Sequence, residues 1–171
     1  MRLSGRLLHR LEPPAMDWEQ AKSAFVRDGS LRDLYVLDTT VEDWRSLFDF
    51  VRGSTYGLRF RHGDDWRPVP ADPDGFFAGQ SEWTTLLSID VSGFAVNAHF
   101  FETDQIELDI EPSEVQTPER AEALFEFMRD LARALGKPVR LTPENCRDYV
   151  LIEYDPASDE LRKEHDHWTD Q

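Results

Sequence analysis

The middle of the chain, from Thr84 to Glu111, alternates apolar and polar residues in three consecutive runs. The apolar positions are Leu87, Ile89 and Val91, then Phe94, Val96, Ala98 and Phe100, then Ile106, Leu108 and Ile110. Successive side chains of a strand point to opposite faces of its sheet. The pattern therefore predicts three antiparallel strands, a meander, with one shared buried face.

The turns between these strands set their register. Ser92-Gly93 is typical of a two-residue hairpin turn, because glycine adopts a positive φ without a Cβ clash. In the second hairpin a three-residue loop, 102–104, keeps apolar residues opposite apolar residues, whereas a two-residue turn would mix the two faces. The polar face then carries two rows of side chains: Leu86, His99 and Glu107 in one, and Ser88, Asn97 and Asp109 in the other.

Helices and further strands are predicted on both sides of this meander. Three helices have a capping residue and a stop: Asp17 to about Asp28, Thr40 to Gly53, and Thr117 to Gly136. Strands are predicted at 31–37, 56–60, 139–141 and 149–154. This order predicts an α+β fold with one mostly antiparallel sheet, a central meander at about 84–111, and helices packed mainly on one face.

Length and composition predict one folded domain between two less regular ends. The chain has 171 residues, of which 40% are hydrophobic, enough for a single core. Residues 1–15 are predicted to be a loose extension before Met16, the expected natural start. Residues 16–155 are predicted to form the domain. Residues 156–171 are predicted to be an acidic tail or a frayed helix.

The segment 62–82 interrupts the regular pattern with five prolines and glycines between 68 and 79. Long irregular segments in compact domains often carry function. Trp66, Phe76 and Phe77 in this segment are therefore candidates for contact with a partner protein. Two alternatives stay open: the three rings cap one edge of the core, or a small ligand binds beneath 68–82.

The formal net charge of −15 restricts the classes of partner. This charge repels phosphate backbones and anionic membrane surfaces, so neither nucleic acid nor a membrane is an expected partner. It suits a basic protein partner, or solubility alone. No apolar run approaches the length of a membrane span. A single cysteine, Cys146, excludes an internal disulfide and fits the reducing environment of the cytoplasm.

The polar face of the meander is the first candidate for chemistry. His99 opposite Glu107, with Asn97 beside Asp109, brings imidazole, amide and carboxylates within reach of one another. A histidine with a carboxylate can act as a general base, and two carboxylates with a histidine can hold a divalent ion. The alternative is a solvent-facing sheet whose charges keep the protein in solution.

Other motifs favour a protein without catalysis, cofactor or bound metal. The sequence lacks a phosphate-binding glycine loop and the HExxH, GxSxG and CxxC motifs. His165 and His167, near the C-terminus, lack the further ligands that a metal site needs. Cys146 has no histidine placed to activate it and is expected to act as a small hydrophobic residue.

A family resemblance rests on three stretches, LYVLDTTVEDWRSLFDFV, LLSIDVSGFAVNAHFF and LTPEN. Over about 17–155, the chain resembles small acidic bacterial proteins, including the immunity proteins that accompany secreted toxins. The resemblance implies a non-enzymatic inhibitor that binds one basic effector protein. Immunity proteins share no catalytic residues, so none is assigned. The alternative is a small enzyme, or a metal- or ligand-binding protein, working from His99, Glu107 and Asp109.

Overall fold

The structure, a computed structural model, describes residues 16–167. The extension predicted at 1–15 lies outside the described residues, as does the end of the predicted tail, 168–171. Among the helices of 16–167, none has the length and apolar character needed to cross a membrane.

The described chain forms three α-helices and nine β-strands. The helices are α1 (Trp18–Ala21), α2 (Val41–Gly53) and α3 (Pro118–Leu135). The strands are β1 (Arg32–Leu37), β2 (Gly57–His62), β3 (Asp65–Arg67), β4 (Thr85–Val91), β5 (Phe94–His99), β6 (Gln105–Ile110), β7 (Val139–Pro143), β8 (Ile152–Asp155) and β9 (Glu160–Lys163). Short 3-10 turns occur at Lys22–Phe25 and Pro112–Glu114.

All the strands of the described chain belong to one antiparallel sheet in the order β3-β2-β4-β5-β6-β1-β7-β8-β9. β1 comes first in the chain but lies inside the sheet, between β6 and β7. The predicted α+β fold with a largely antiparallel sheet and a β4-β5-β6 meander is therefore confirmed.

The meander has the register that apolar burial predicts. Ile89 lies opposite Val96, and Ala98 lies opposite Leu108. At the first turn Ser92 and Gly93 have φ values of 54° and 92°. Two positive φ angles in a two-residue turn match the right-handed twist of the flanking strands.

The helices cover one face of the sheet. The buried residues of α2 and α3 join the apolar rows of the central strands in a single core. Phe100, just after β5, lies with its ring centroid 4.9 Å from that of Trp44 and 5.8 Å from that of Phe48, both on α2. Phe25 contacts Phe125 of α3 at 6.3 Å, which places the first helical segment on the same side.

The two long helices begin and end close to the predicted positions. The carboxylate of Asp43 accepts a hydrogen bond from the backbone N–H of Thr40 at 2.9 Å, and α2 ends at Gly53. The Thr117 hydroxyl accepts a bond from a first-turn N–H of α3. Gly136 follows α3 with φ 65°, the left-handed conformation that commonly ends a helix.

The first helical segment is shorter than predicted. The sequence predicts a helix to about Asp28, but the 3-10 turn after α1 ends at Phe25. Arg32, which is fully buried, donates to the backbone carbonyls of Ala24 and Val26 at 2.8 and 2.7 Å. Because a side chain satisfies these carbonyls, the chain leaves the helix there without another turn.

Two edge strands lie where the sequence predicts none. β3 pairs with β2 inside the segment predicted as irregular, and β9 pairs with β8 inside the predicted tail. All three residues of β3 and three of the four residues of β9 are exposed, so neither strand has a clear apolar alternation. The sheet therefore continues past residue 155, and 160–163 are neither a frayed helix nor a tail.

The last predicted strand begins later than expected. β8 starts at Ile152, whereas the sequence predicts a strand from 149. The backbone N–H of Tyr149 donates to the carbonyl of Cys146 at 2.9 Å. This bond closes a turn, so residues before Leu151 connect β7 to β8 instead of extending the sheet.

Candidate functional site

The sheet face opposite the helices, here called the open face, carries the polar rows predicted from the sequence. His99 lies opposite Glu107, and Asn97 lies opposite Asp109. Both rows continue into β1, which pairs with β6. Six neighbouring side chains form what we call the central patch: Asp33, Tyr35, Asn97, His99, Glu107 and Asp109.

His99 makes its hydrogen bond with Asp109, although Glu107 lies directly opposite in the register. The Nε2 atom of His99 is 2.5 Å from Oδ2 of Asp109. The other carboxylate oxygen, Oδ1, accepts from Nδ2 of Asn97 at 3.2 Å. Asp109 is the diagonal neighbour on the adjacent strand, which is within reach of an imidazole and a carboxylate. The sheet thus holds the imidazole and orients it through a carboxylate.

The hydrogen bond to Asp109 raises the pKa of His99 above its ordinary value of 6.5, and burial offsets only part of this effect. The charges of Asp109, Glu107 and Asp33 raise the pKa further. The imidazole therefore keeps its positive charge to higher pH than a free histidine. Phe101 stacks on the ring, with centroids 5.3 Å apart and planes 3° from parallel.

Asp33 and Tyr35 extend the patch into β1, and sequence analysis did not single them out. Asp33 is 3% exposed and accepts from the Tyr35 hydroxyl at 3.1 Å and from the Asn145 backbone N–H at 2.6 Å. Burial raises the pKa of the Asp33 carboxyl and of the Tyr35 hydroxyl. Their alternation with Leu34 and Val36 is the sequence feature that could have placed them on the polar face of the sheet.

Three carboxylates, Asp33, Glu107 and Asp109, share the central patch. Burial raises the pKa of Glu107, and the charges of Asp33, Asp109 and Glu102 raise it further, against the opposing effect of His99. The ionised forms of these acids therefore disfavour one another. A guanidinium or ammonium group approaching the patch would stabilise them, so the patch is suited to a cationic group.

A metal site has little support in the described chain. Within residues 16–167, no group of three or more His, Cys, Asp or Glu side chains is arranged to hold a metal ion. The two C-terminal histidines bond to separate parts of the chain. Nδ1 of His165 lies 2.8 Å from the Val150 carbonyl, and Nε2 of His167 lies 2.6 Å from Oδ2 of Asp28.

The three aromatic candidates of the segment 62–82 have different surroundings. Trp66 lies on β3, is 49% exposed, and has the Arg59 guanidinium 4.0 Å from a ring centroid. Phe77 is 3% exposed, with its ring 5.1 Å from that of Trp44. Phe76 is half-buried and packs against the core. Phe77 is therefore part of the core, as the alternative of a core-edge cap expects, whereas binding roles for Trp66 and Phe76 stay predictions.

Two further exposed aromatics lie beside the central patch. Trp83 is 61% exposed and Phe101 is 50% exposed. With His99 and Arg61 they line a cavity of about 450 Å³ between the segment 78–86 and the strands β2 and β5. Trp83 was missed because it lies in a loop, where no periodicity indicates which side chains meet.

Comparison of the chain with known protein families, curated proteins and solved structures finds no match. The resemblance to immunity proteins therefore stays a prediction, and no residue role can be transferred from a relative.

Proposed function

We propose that this protein binds a basic protein partner through the open face of its sheet, and that it acts as an inhibitor of the immunity type. The observation that carries the proposal is the central patch, where three carboxylates crowd a sheet face opposite the helices. The partner presents lysine or arginine side chains to this patch. Inhibition requires no chemical step on either protein.

Charge acts at two distances in this proposal. The net charge of −15 attracts a cationic protein and accelerates its encounter. At contact, a cation beside Glu107 stabilises an ionised carboxylate that burial and its acidic neighbours otherwise disfavour. His99 supplies part of this stabilisation in the free protein, and a cation of the partner adds to it in the complex, which is why the crowded acids support a basic partner.

Aromatic side chains on the open face supply the apolar part of the contact. Protein interfaces concentrate their binding energy in a few aromatic and arginine side chains. Trp66 has the Arg59 guanidinium over its ring, and Phe101 stacks on His99. Both rings are thus held in place before the partner arrives, so little side-chain entropy is lost on binding.

The test compares two variants of equal net charge. E102Q/E107Q removes two neighbouring acids on the central-patch side, and E126Q/D130N removes two exposed acids from α3 on the helical side. Each protein is immobilised, exposed to native bacterial lysate, and washed at about 0.15 M and about 1 M salt. Mass spectrometry quantifies the captured proteins, and calorimetry measures the affinity of the purified partner.

We expect the wild type and E126Q/D130N to retain the same basic protein at low salt and to release it at high salt. E102Q/E107Q should bind it at least about tenfold more weakly. If the protein is an inhibitor of the immunity type, adding the wild-type protein should abolish the toxicity of the purified partner. Equal capture by the two variants, or the absence of a stoichiometric basic protein, would show that the proposal is wrong.

The alternative of a small enzyme or ligand-binding protein has two supporting observations. The His99–Asp109 pair has the geometry of a histidine oriented by a carboxylate, and the cavity described above adjoins it. His99→Ala separates this alternative from the first proposal. Loss of a measured turnover or of small-ligand binding, with capture of the basic protein retained, would favour the alternative.

A further inference from the structure

The cavity beside His99 has the size and lining of a small-molecule site. Its volume of about 450 Å³ lies within the usual range for such sites. The lining comes from β2, from the segment that leads into β4, and from the end of β5. The lining residues nearest to the proposed chemistry are Arg61, Trp83, Leu86, His99 and Phe101.

The walls of this cavity are flat and apolar. Trp83 and Phe101 are two of the four large hydrophobic residues exposed in the described chain, and both line it. Leu86 adds an aliphatic surface from β4. Exposed aromatic rings gathered around one concave surface are typical of a binding site and rare elsewhere on a folded protein.

The cavity lining includes two basic side chains, Arg61 and His99, beside the hydroxyls of Ser81, Thr84 and Thr85 and the carboxylate of Glu82. Arg61 makes no ion pair within residues 16–167, and its guanidinium lies 5.5 Å from a ring centroid of Trp66. The Nε2 atom of His99 lies 2.5 Å from Oδ2 of Asp109. Glu82 is the only acid in the lining and is exposed to solvent. An unpaired guanidinium at this place lacks the anion that would complement it.

We propose that this cavity binds a small aromatic carboxylate, with the carboxylate group on Arg61 and the ring system against Trp83 and Phe101. The guanidinium matches a carboxylate by two parallel N–H···O bonds. The aromatic walls bury the ring system. Small anions without an apolar part, such as phosphate, gain no such contact and should bind more weakly. This site shares Phe101 with the proposed contact for a basic protein, but neither proposal requires the other.

The test uses a matched pair of probes and a matched pair of variants. The probes are 2-naphthoate and 2-naphthamide, which share one ring system and differ in charge. The variants are R61Q, inside the cavity, and R59Q, on the same strand and outside it. Binding is measured by calorimetry on the full chain, and the site is located by chemical shift changes of His99 and Phe101. Circular dichroism and urea unfolding check that each variant is folded.

We expect the wild type to bind 2-naphthoate with a Kd below about 1 mM and 2-naphthamide at least about tenfold more weakly. R61Q should lose about tenfold in affinity for 2-naphthoate and keep its affinity for 2-naphthamide, while R59Q should match the wild type. Equal binding of the two probes, shift changes away from the cavity, or equal losses in both variants would overturn the proposal. The comparison of probes on the wild type decides the question even if R61Q does not fold.

Because this experiment changes Arg61 and uses small probes, its result is independent of the partner experiment. Failure of naphthoate binding leaves the comparison of E102Q/E107Q with E126Q/D130N unaffected. A missing basic partner would likewise leave the cavity proposal standing. The two proposals can therefore be rejected separately.

Discussion

The imidazole of His99 and the carboxylate of Asp109 meet at 2.5 Å in the middle of the open face. The alternation of β5 and β6 predicts that both side chains share this face, and the register confirms it. It does not predict which acid accepts the bond, because the opposite and the diagonal carboxylates are both within reach of the ring. That choice depends on side-chain rotamers, which no sequence period encodes.

The raised pKa of His99 makes stability depend on pH. The folded protein binds this proton more tightly than the unfolded chain, whose histidine titrates near 6.5. The stabilisation is therefore complete below about pH 6.5 and is lost as pH rises through the higher folded pKa. We expect the free energy of unfolding of the wild type to fall more between pH 6 and pH 9 than that of His99→Gln.

Urea unfolding at several pH values measures this difference. Because the charge of His99 also lowers the pKa of Glu107, the difference measures His99 together with its coupling to that carboxyl group. Parallel pH curves for the wild type and the variant would show that the His99–Asp109 pair adds no stability. A direct check is the NMR titration of the His99 ring, whose midpoint should lie above 6.5.

The role of Arg32 also cannot be read from the alternating pattern. It lies on β1 and is fully buried, and it donates to the carbonyls of Ala24, Val26 and Leu31 at 2.7 to 2.9 Å. Arg32→Met would keep much of the volume but leave these carbonyls without their donors. Because each unsatisfied buried group costs about 1–3 kcal/mol, we expect a loss of about 3 kcal/mol or more.

Arg27→Met is the matched control for this prediction. Arg27 lies in the same connection but is exposed to solvent. Its replacement should change the free energy of unfolding by less than about 0.5 kcal/mol. Urea unfolding of both variants at neutral pH compares them. A loss below about 1 kcal/mol for Arg32→Met would mean that water satisfies the carbonyls as well as the guanidinium does.

At the scale of elements, long periodic segments were predictable and short ones were not. α2 and α3 carry caps and apolar stripes, and both begin and end close to the expected positions. β3 and β9 have three and four residues with mostly exposed side chains, so their sequences resemble loops. Such edge strands form because an adjacent strand offers unpaired backbone groups. Their own sequence does not show that this neighbour is present.

The glycines at the ends of the two long helices should respond to alanine in opposite directions. Gly136 has φ 65°, and a Cβ in that conformation costs about 1 kcal/mol. Gly53 is the last residue of α2, its φ lies outside the left-handed region, and a Cβ there meets nothing within 4 Å. We expect Gly136→Ala to lower the free energy of unfolding by about 1 kcal/mol and Gly53→Ala to raise it by about 0.5 kcal/mol.

Thermal and urea unfolding of the two variants provide the measurement. Because both substitutions add the same methyl group near a helix end, differences in composition cancel. Destabilisation of similar size by both variants would contradict the assignment of Gly136 as the left-handed residue after α3. Gly53 would then also need a conformation that alanine disfavours.

At the scale of the whole molecule, the sheet order and the cavity depend on contacts that are distant in sequence. β1 pairs with β6 and β7, about 70 and 110 residues further along the chain. An alternating pattern predicts that a strand exists and which face it buries, but not its neighbours. The cavity arises in the same way, since the segment 78–86 brings Trp83 beside side chains of β2 and β5.

The net charge of −15 leads to a last expectation about the whole molecule. Self-repulsion of a highly charged compact state lowers its stability, and salt screens that repulsion over about 10 Å at 0.1 M. The ion pairs of the described surface are mostly exposed and contribute little that salt could remove. We therefore expect the free energy of unfolding at pH 8 to rise as NaCl increases from about 0.01 M to about 0.5 M.

The pH dependence of this salt effect separates repulsion from general salting-out. Near pH 4.5 many carboxyl groups are protonated and the net charge is much smaller, so added NaCl should then change stability little. An increase of the same size at both pH values would indicate exclusion of salt from the apolar surface instead. A decrease at pH 8 would mean that local ion pairs outweigh the repulsion. The excess of acidic residues would then not destabilise the free protein. Relief of repulsion among carboxylates could then not drive association with a basic partner.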